Sequence, residues 1–311
     1  LPSLICNVSS RSNSLNNCFR TVKDTPPSSA IETPSGKNQD DENFPVGSWL
    51  LAAHLRPHII TFYRFARAID DIADAQSLVA DEKLERLCLF EETLMGNISG
   101  RRGYEKGDAM RSSLLKSNIS VQHCLDLITA FKRDATKLRY ADWPDLLDYC
   151  TYSACPVGRY LIDLHGGGKK DYPPSDALCS ALQILNHLQD CKEDFEKLGR
   201  VYLPLDSLQK HNVPVSYLSA VSSSQGLRRV KLDLLRKTAS LIEESRPLTS
   251  RLKSRRLAME AQTIINIAKC LKSELTLRDP LAERVQLSKW QYVWSFIVGV
   301  IEATTTQQHS T

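Results

Sequence analysis

Two short stretches of the sequence place oxygen-bearing side chains at intervals of one helical turn. In the first, Arg67-Ala68-Ile69-Asp70-Asp71-Ile72-Ala73-Asp74, the carboxylates of Asp70 and Asp74 lie four residues apart. On a helix that spacing sets them side by side, with about 5–6 Å between Cβ atoms. Like charges so placed repel each other and call for a cation. Arg67 precedes Asp70 by three residues and Asp71 by four, and Tyr63 stands four residues before Arg67. Tyr63, Arg67, Asp70 and Asp74 therefore form a column on one face. In the second stretch Asn186, Asp190 and Asp194 fall at i, i+4 and i+8, an oxygen-bearing stripe on a helix. These are hard ligands of the kind magnesium takes at about 2.0–2.1 Å, one or two carboxylates sharing the ion with waters and substrate phosphates. Two such stripes facing one another would grip a diphosphate through magnesium, and neutralising its oxygens makes it a leaving group. Either stripe alone is commonly a solvated acidic face, so the chemistry is read from the pair.

The elements that must carry these side chains read as helix after helix. Over residues 48–75 the apolar positions Leu51, Leu55, Ile59, Phe62, Phe65, Ala66, Ile69 and Ala73 recur at helical spacing. Pro57 interrupts them, which predicts a short helix ending near His54 and a second beginning near Pro57. Further helices are expected over 81–95, 121–139 and 145–165, with a glycine-punctuated turn from Gly96 to Gly107. Gly166, Gly167 and Gly168 read as a loop, after which Ser175 or Asp176 caps a helix running to about Leu198. Amphipathic helices over 227–245 and 254–275 complete the set. The fold class is thus all-α, one large domain of helices.

Composition narrows the partners. The net charge of +4 is the small difference between 40 Lys+Arg and 36 Asp+Glu, and no basic block is interleaved with aromatics, so nucleic acid is not expected. The nine cysteines form no CxxC pair and read as reduced, buried thiols of a cytoplasmic protein. Residues 1–40 are rich in Ser, Asn, Thr and Pro and read as a disordered tail, with organelle targeting left open; 41–280 form the catalytic domain. Residues 281–311 are read as an apolar helix and tail, whose stretch WQYVWSFIVGVI is shorter than the roughly 20 apolar residues that span a bilayer. It reads as a helix packed on the core, or as an interfacial anchor giving peripheral membrane contact.

The residues quoted resemble a known family at three places. Residues 42–74, ENFPVGSWLLAAHLRPHIITFYRFARAIDDIAD, are similar to the opening of the squalene/phytoene type of trans-isoprenyl diphosphate synthase. Residues 185–204, LNHLQDCKEDFEKLGRVYLP, resemble that family's second aspartate-rich signature with its Arg-x-Tyr, and residues 149–166 resemble its mid-chain helix. The resemblance implies an isoprenoid synthase helical bundle around a central apolar cavity, acting on an isoprenoid diphosphate. It makes Asp70 and Asp74 first-site magnesium ligands supported by Asp71, and Asp190 and Asp194 second-site ligands with Asn186 turned to the same metal or diphosphate. Arg67 matches the arginine on the diphosphate and Tyr63 the tyrosine before it. Tyr149 and Tyr202 match cavity-lining positions, Val157 and Gly158 keep the mid-chain helix slim for a prenyl tail, and Phe44 belongs to the substrate-contacting front block. Lys137 and Arg139 are further candidates for charge at the cavity mouth.

One departure narrows the assignment. The family usually carries Arg before the first Asp of the second motif, where this chain has Gln189. Together with Glu42-Asn43-Phe44-Pro45 and Cys155-Pro156-Val157-Gly158-Arg159, it resembles the hydroxysqualene synthase branch of bacterial hopanoid pathways. That branch implies ionisation of presqualene diphosphate and capture of the cation by water, with no NADPH expected and with other pathway enzymes as partners. Gln189, Asn186, Tyr63 and Tyr202 are the candidates for placing the water. Three alternatives stand beside it: head-to-head condensation of two farnesyl or geranylgeranyl diphosphates, a terpene cyclase, and a non-catalytic helical assembly factor.

Overall fold

The computed structural model describes residues 52–308, and among these the chain is helical throughout, with a single isolated parallel bridge between Arg139 and Val201. The helices are α1 (Arg56–Asp74), α2 (Ala80–Met95), α3 (Glu105–Ser117), α4 (Gln122–Asp134), α5 (Trp143–Ser153), α6 (Cys155–Leu164), α7 (Tyr172–Gln189), α8 (Cys191–Leu198), α9 (Leu205–Lys210), α10 (Gln225–Ser245), α11 (Leu248–Arg251), α12 (Arg255–Leu277) and α13 (Lys289–Gln308). The tail expected over residues 1–40, the front block around Phe44 and any helix ending near His54 that begins before residue 52 lie outside the described residues.

Helix α1 starts at Arg56 with Pro57 in its first turn, where a missing N–H costs nothing. It buries Ile59, Phe62, Phe65, Ile69 and Ile72, each worth about 1.5–3 kcal/mol of removed apolar surface. Phe62 stacks on Tyr160 of α6 with ring centroids 4.1 Å apart. Its one buried acid is Asp71, which is held by Arg67 at 3.4 Å.

Three expected helices differ from the sequence reading. The helix over 145–165 divides at Ala154 into α5 and α6, because Pro156 has no N–H to continue the ladder and restricts the residue before it. The helix expected to reach 139 stops at Asp134, since Leu138 and Tyr140 offer their carbonyls to Val201 and Leu205 instead. The helix expected to run to Leu198 begins earlier, at Tyr172 with Pro173 and Pro174 in its first turn, and bends at Asp190, whose φ of −100° and ψ of 8° separate α7 from α8. In addition, the stretch read as a turn to Gly107 gives way at Glu105 to α3.

Helices α6 and α7 approach closely at Gly158. A Cβ there would stand 2.3 Å from Ser175 Oγ and 2.7 Å from Cys179 Sγ. The bidentate pair of Arg159 with Asp176, at 2.9 and 2.7 Å, locks the same crossing. Behind these helices α10 and α12 close the bundle, and α13 lies along α12.

Candidate active site

The helices enclose a cavity of about 670 Å³. Its walls divide by chemistry, and the division follows the sequence of two helices. Helix α1 contributes Ile59, Phe62 and Ala66 and then, toward its C-terminus, Arg67, Asp70 and Asp74; α7 contributes Leu178 and Leu182 and then Asn186. From Ile59 to Asp74 the lining of α1 extends about 22 Å at 1.5 Å per residue. The acids of these two helices therefore gather at one end of the chamber, and Val157, Leu161, Leu248, Leu252, Leu257 and Ile264 extend its apolar part, where Glu260 of α12 is the one acid.

Both acidic motifs face this one cavity. Asp70, Asp74, Asn186, Asp190 and Asp194 all line it, as do Tyr63, Arg67, Tyr149, Tyr202, Val157 and Gly158. The bend at Asp190 does not disperse the second motif, because backbone bonds from Asp190 N to Asn186 O at 2.9 Å and from Asp194 N to Asp190 O at 2.8 Å keep one-turn spacing through it. The first motif is neutralised by arginines: Arg67 donates to Asp70 at 2.7 Å, and Arg200 donates to Asp74 at 2.5 Å.

The structure does not bring every expected residue to the chamber. Gln189 does not line the cavity, and its amide donates to the carbonyl of Val285 at 2.6 Å. Asp71 is buried against Arg67 and does not line the cavity, which leaves it the supporting place rather than that of a ligand. Lys137 and Arg139 are also elsewhere, Lys137 on Asp145 at 2.5 Å and Arg139 on the carbonyls of Leu138 and Gly199.

Other lining groups had no role assigned from the sequence: Asp134, His187, Glu193, Glu260, Arg284 and Arg200, the arginine of the Arg-x-Tyr. Arg200 is the central one. Gly199 ends α8 at φ +65° and turns the chain into an extended run whose Val201 N–H bonds Leu138 O at 2.9 Å. Extended backbone sends residues two apart to the same side, so Arg200 and Tyr202 enter the site together. The buried Arg200 guanidinium joins three elements, donating to Asp74, to the Ala73 carbonyl at 2.9 Å and to the Asp134 carbonyl at 3.1 Å. Burial opposes its charge, but Tyr202, Asp134 and Asp74 outweigh that and hold its pKa above the ordinary value.

Beside it lies a carboxylate shared by two phenols. Tyr149 donates to Asp134 Oδ2 at 2.7 Å and Tyr202 donates to Oδ1 at 2.9 Å. Burial, and after it the Asp134 charge, hold both tyrosines well above their ordinary range, so both stay O–H donors. The ring of His187 stacks on Tyr202 at 3.6 Å between centroids, with Nδ1 3.8 Å from Asp194 Oδ2. One network thus spans both acidic motifs.

Burial pushes the Asp134 carboxyl up to about 6 from its ordinary 3.8, against the pull of Arg200 and the two tyrosines. A carboxyl that keeps its proton to higher pH in the folded state favours folding fully below the unfolded value, and that contribution is lost as pH rises to about 6. The change amounts to about 3 kcal/mol. Urea unfolding of wild type and Asp134→Asn across this window should therefore show the wild type losing stability relative to the variant as pH increases. Parallel curves would contradict the assignment.

Among the described residues no three His, Cys, Asp or Glu side chains lie close enough to cage a metal by themselves. The cavity instead gathers carboxylate and amide oxygens on two walls. That arrangement fits magnesium, which takes few protein ligands and completes its shell with water and phosphate oxygens.

Comparison with known proteins agrees with this architecture. The family model described as squalene/phytoene synthase matches residues 37–291. A hydroxysqualene synthase of Rhodopseudomonas palustris is 45% identical over 85% of this chain and 90% of its own length, and one of Zymomonas mobilis is 38% identical over 82% and 86%. Among solved structures, a squalene synthase of Alicyclobacillus acidocaldarius superposes with a TM-score of 0.65 at 31% identity, covering 73% of this chain and 85% of that one. A dehydrosqualene synthase at 19% identity shares the fold with a TM-score of 0.68, covering 85% and 92%.

Proposed function

Because the chain belongs to the squalene/phytoene synthase family, we infer that it converts presqualene diphosphate and water into hydroxysqualene and diphosphate. The observation that carries this reading is the single chamber with acids at one end and hydrocarbon at the other. Similarity to hydroxysqualene synthases over most of both chains selects the reaction within the family.

The chemistry asks three things of these residues. The carbon–oxygen bond to diphosphate must break with its electron pair leaving on oxygen, which demands positive charge at the acidic end. Magnesium, when bound, would supply most of that charge, with Asp70 and Asp74 on one wall and Asp190, Asp194 and Asn186 on the other as its holders. Arg67, on the same wall, steadies the departing anion through charge-assisted hydrogen bonds. Next, the cation must survive its rearrangement. Phe62, Tyr63, Phe131, Tyr149 and Tyr202 line the chamber, and each aromatic face stabilises a nearby cation by about 0.5–2 kcal/mol without reacting with it.

Finally, one water must reach the cation, form the new carbon–oxygen bond and lose a proton, which the departed diphosphate can accept. Of the four candidates for placing the water, Tyr63, Asn186 and Tyr202 line the cavity and Gln189 does not. Tyr202 is placed to orient a water by accepting from it, because its own proton is engaged by Asp134.

Incubation with presqualene diphosphate and magnesium in ¹⁸O-water, without reductant, should yield hydroxysqualene carrying the label. Inertness toward presqualene diphosphate, with condensation of two farnesyl diphosphates in its place, would replace this reading by the head-to-head one.

A further inference from the structure

One amide in the chamber stands outside both acidic motifs. Between Ser175 and Asn186, the side chains of α7 that line the cavity are Leu178, Cys179, Leu182 and Gln183, and only the last carries an amide. Gln183 precedes Asp190 by seven residues, about 10 Å along the helix at 1.5 Å per residue. A magnesium ion at about 2.1 Å from its oxygens, with a diphosphate beyond it, fills most of that length. Gln183 therefore stands level with the carbon that loses the diphosphate, where the chamber passes from acid to hydrocarbon. A single water is stable in so apolar a place only where two or more polar groups bond it.

The amide is held so that its oxygen is the end left for a ligand. Gln183 Nε2 lies 3.2 Å from Nε2 of His187, one helical turn away. An amide nitrogen does not accept, so Gln183 donates and the imidazole accepts. That places the imidazole proton on Nδ1, the nitrogen 3.8 Å from Asp194 Oδ2. Among the described residues no group donates to Gln183 Oε1, and the half-buried side chain lines the cavity. The same imidazole stacks on Tyr202 with 3.6 Å between centroids. Tyr202 gives its own proton to the bond with Asp134, so its oxygen also accepts. One ring thus supports two acceptors, an amide oxygen and a phenol oxygen.

We propose that Gln183 holds the nucleophilic water, its Oε1 accepting one hydrogen while Tyr202 accepts the other. Both O–H bonds then point to the protein, and a lone pair of the water faces the cation. That pair forms the new carbon–oxygen bond. Bond formation makes the held hydrogens acidic, and one passes as a proton to the departed diphosphate, since neither an amide nor a phenol oxygen is basic enough to keep it. This role presupposes the reaction inferred above and adds to it a residue that neither acidic motif contains.

Presqualene diphosphate, magnesium and ¹⁸O-water separate capture from ionisation, because labelled hydroxysqualene counts the first and released diphosphate the second. Wild type should give a ratio of the two near one. Gln183→Met keeps the length of the side chain and removes the acceptor. It should release diphosphate at a rate within about threefold of wild type while the ratio falls by about tenfold. The shortfall should appear as alkenes, formed when the uncaptured cation loses a proton to the same diphosphate. Gln183→Glu keeps an acceptor oxygen and should restore part of the ratio. Being counted per diphosphate released, the ratio does not depend on how much of a variant folds. Wild type that forms no labelled alcohol would sink the reaction and this role with it. Equal ratios in wild type and Gln183→Met, or a glutamate variant no better than the methionine one, would remove Gln183 from the water and leave the reaction standing.

Discussion

Asp190→Asn and Asp70→Asn should each lower turnover of the isoprenoid diphosphate by at least ~10²–10³-fold while leaving the unfolding midpoint close to that of wild type. The two carboxylates stand on different helices and face one cavity. An amide in either place keeps the volume and removes the charge. Asp70 lines the cavity with 26% of its side chain accessible, so little packing depends on it. Its loss also removes the negative charge 2.7 Å from Arg67, which keeps Asp71 at 3.4 Å and would draw the anion without the ion that activates it. Substrate binding should accordingly fall far less than the rate. Activity within tenfold of wild type for either variant would remove the basis for reading the two motifs as one metal-assisted centre.

Arg200→Ala should damage both stability and activity. The side chain is 6% exposed and serves Asp74 and two backbone carbonyls from different elements. Its removal leaves the partly buried Asp74 carboxylate without its countercharge and two carbonyls without their donor. Breaking a fully buried pair from one side typically costs about 3–5 kcal/mol, and this partly buried one should cost less. Arg200→Lys should recover part of this, because a single ammonium can reach one of the acceptors but cannot reproduce the planar fork. The expected order of urea midpoints is wild type, lysine, alanine, and activity should follow it more steeply because Asp74 loses its alignment. Alanine as stable as wild type would show that the three contacts contribute nothing net.

How much was legible beforehand differs from residue to residue. Asp70, Asp74, Asp190 and Asp194 were visible because the helical repeat is short-range: four residues along the chain is one turn in space, whatever the rest of the protein does. For the same reason the apolar stripe of α1 was readable. The breaks at Ala154 and Asp190 were missed, although Pro156 marked the first of them. Nothing local marked the second, where helical spacing continues through the bend. Gln189 was singled out by its neighbours in sequence, yet its side chain is claimed by Val285, 96 residues further on.

What the amino-acid order determined by itself is a helical chain that carries two acid stripes and an apolar C-terminal segment, because periodicity and side-chain chemistry are written residue by residue. Only the tertiary structure decided that the stripes share one chamber, that Arg200 rather than the arginine beside them pins Asp74, and that Asp134 is held by phenols from Tyr149 and Tyr202. Those pairings join positions as many as 126 residues apart. A long-range contact forms only when the whole core buries its apolar surface, so no window of sequence shorter than the fold contains it.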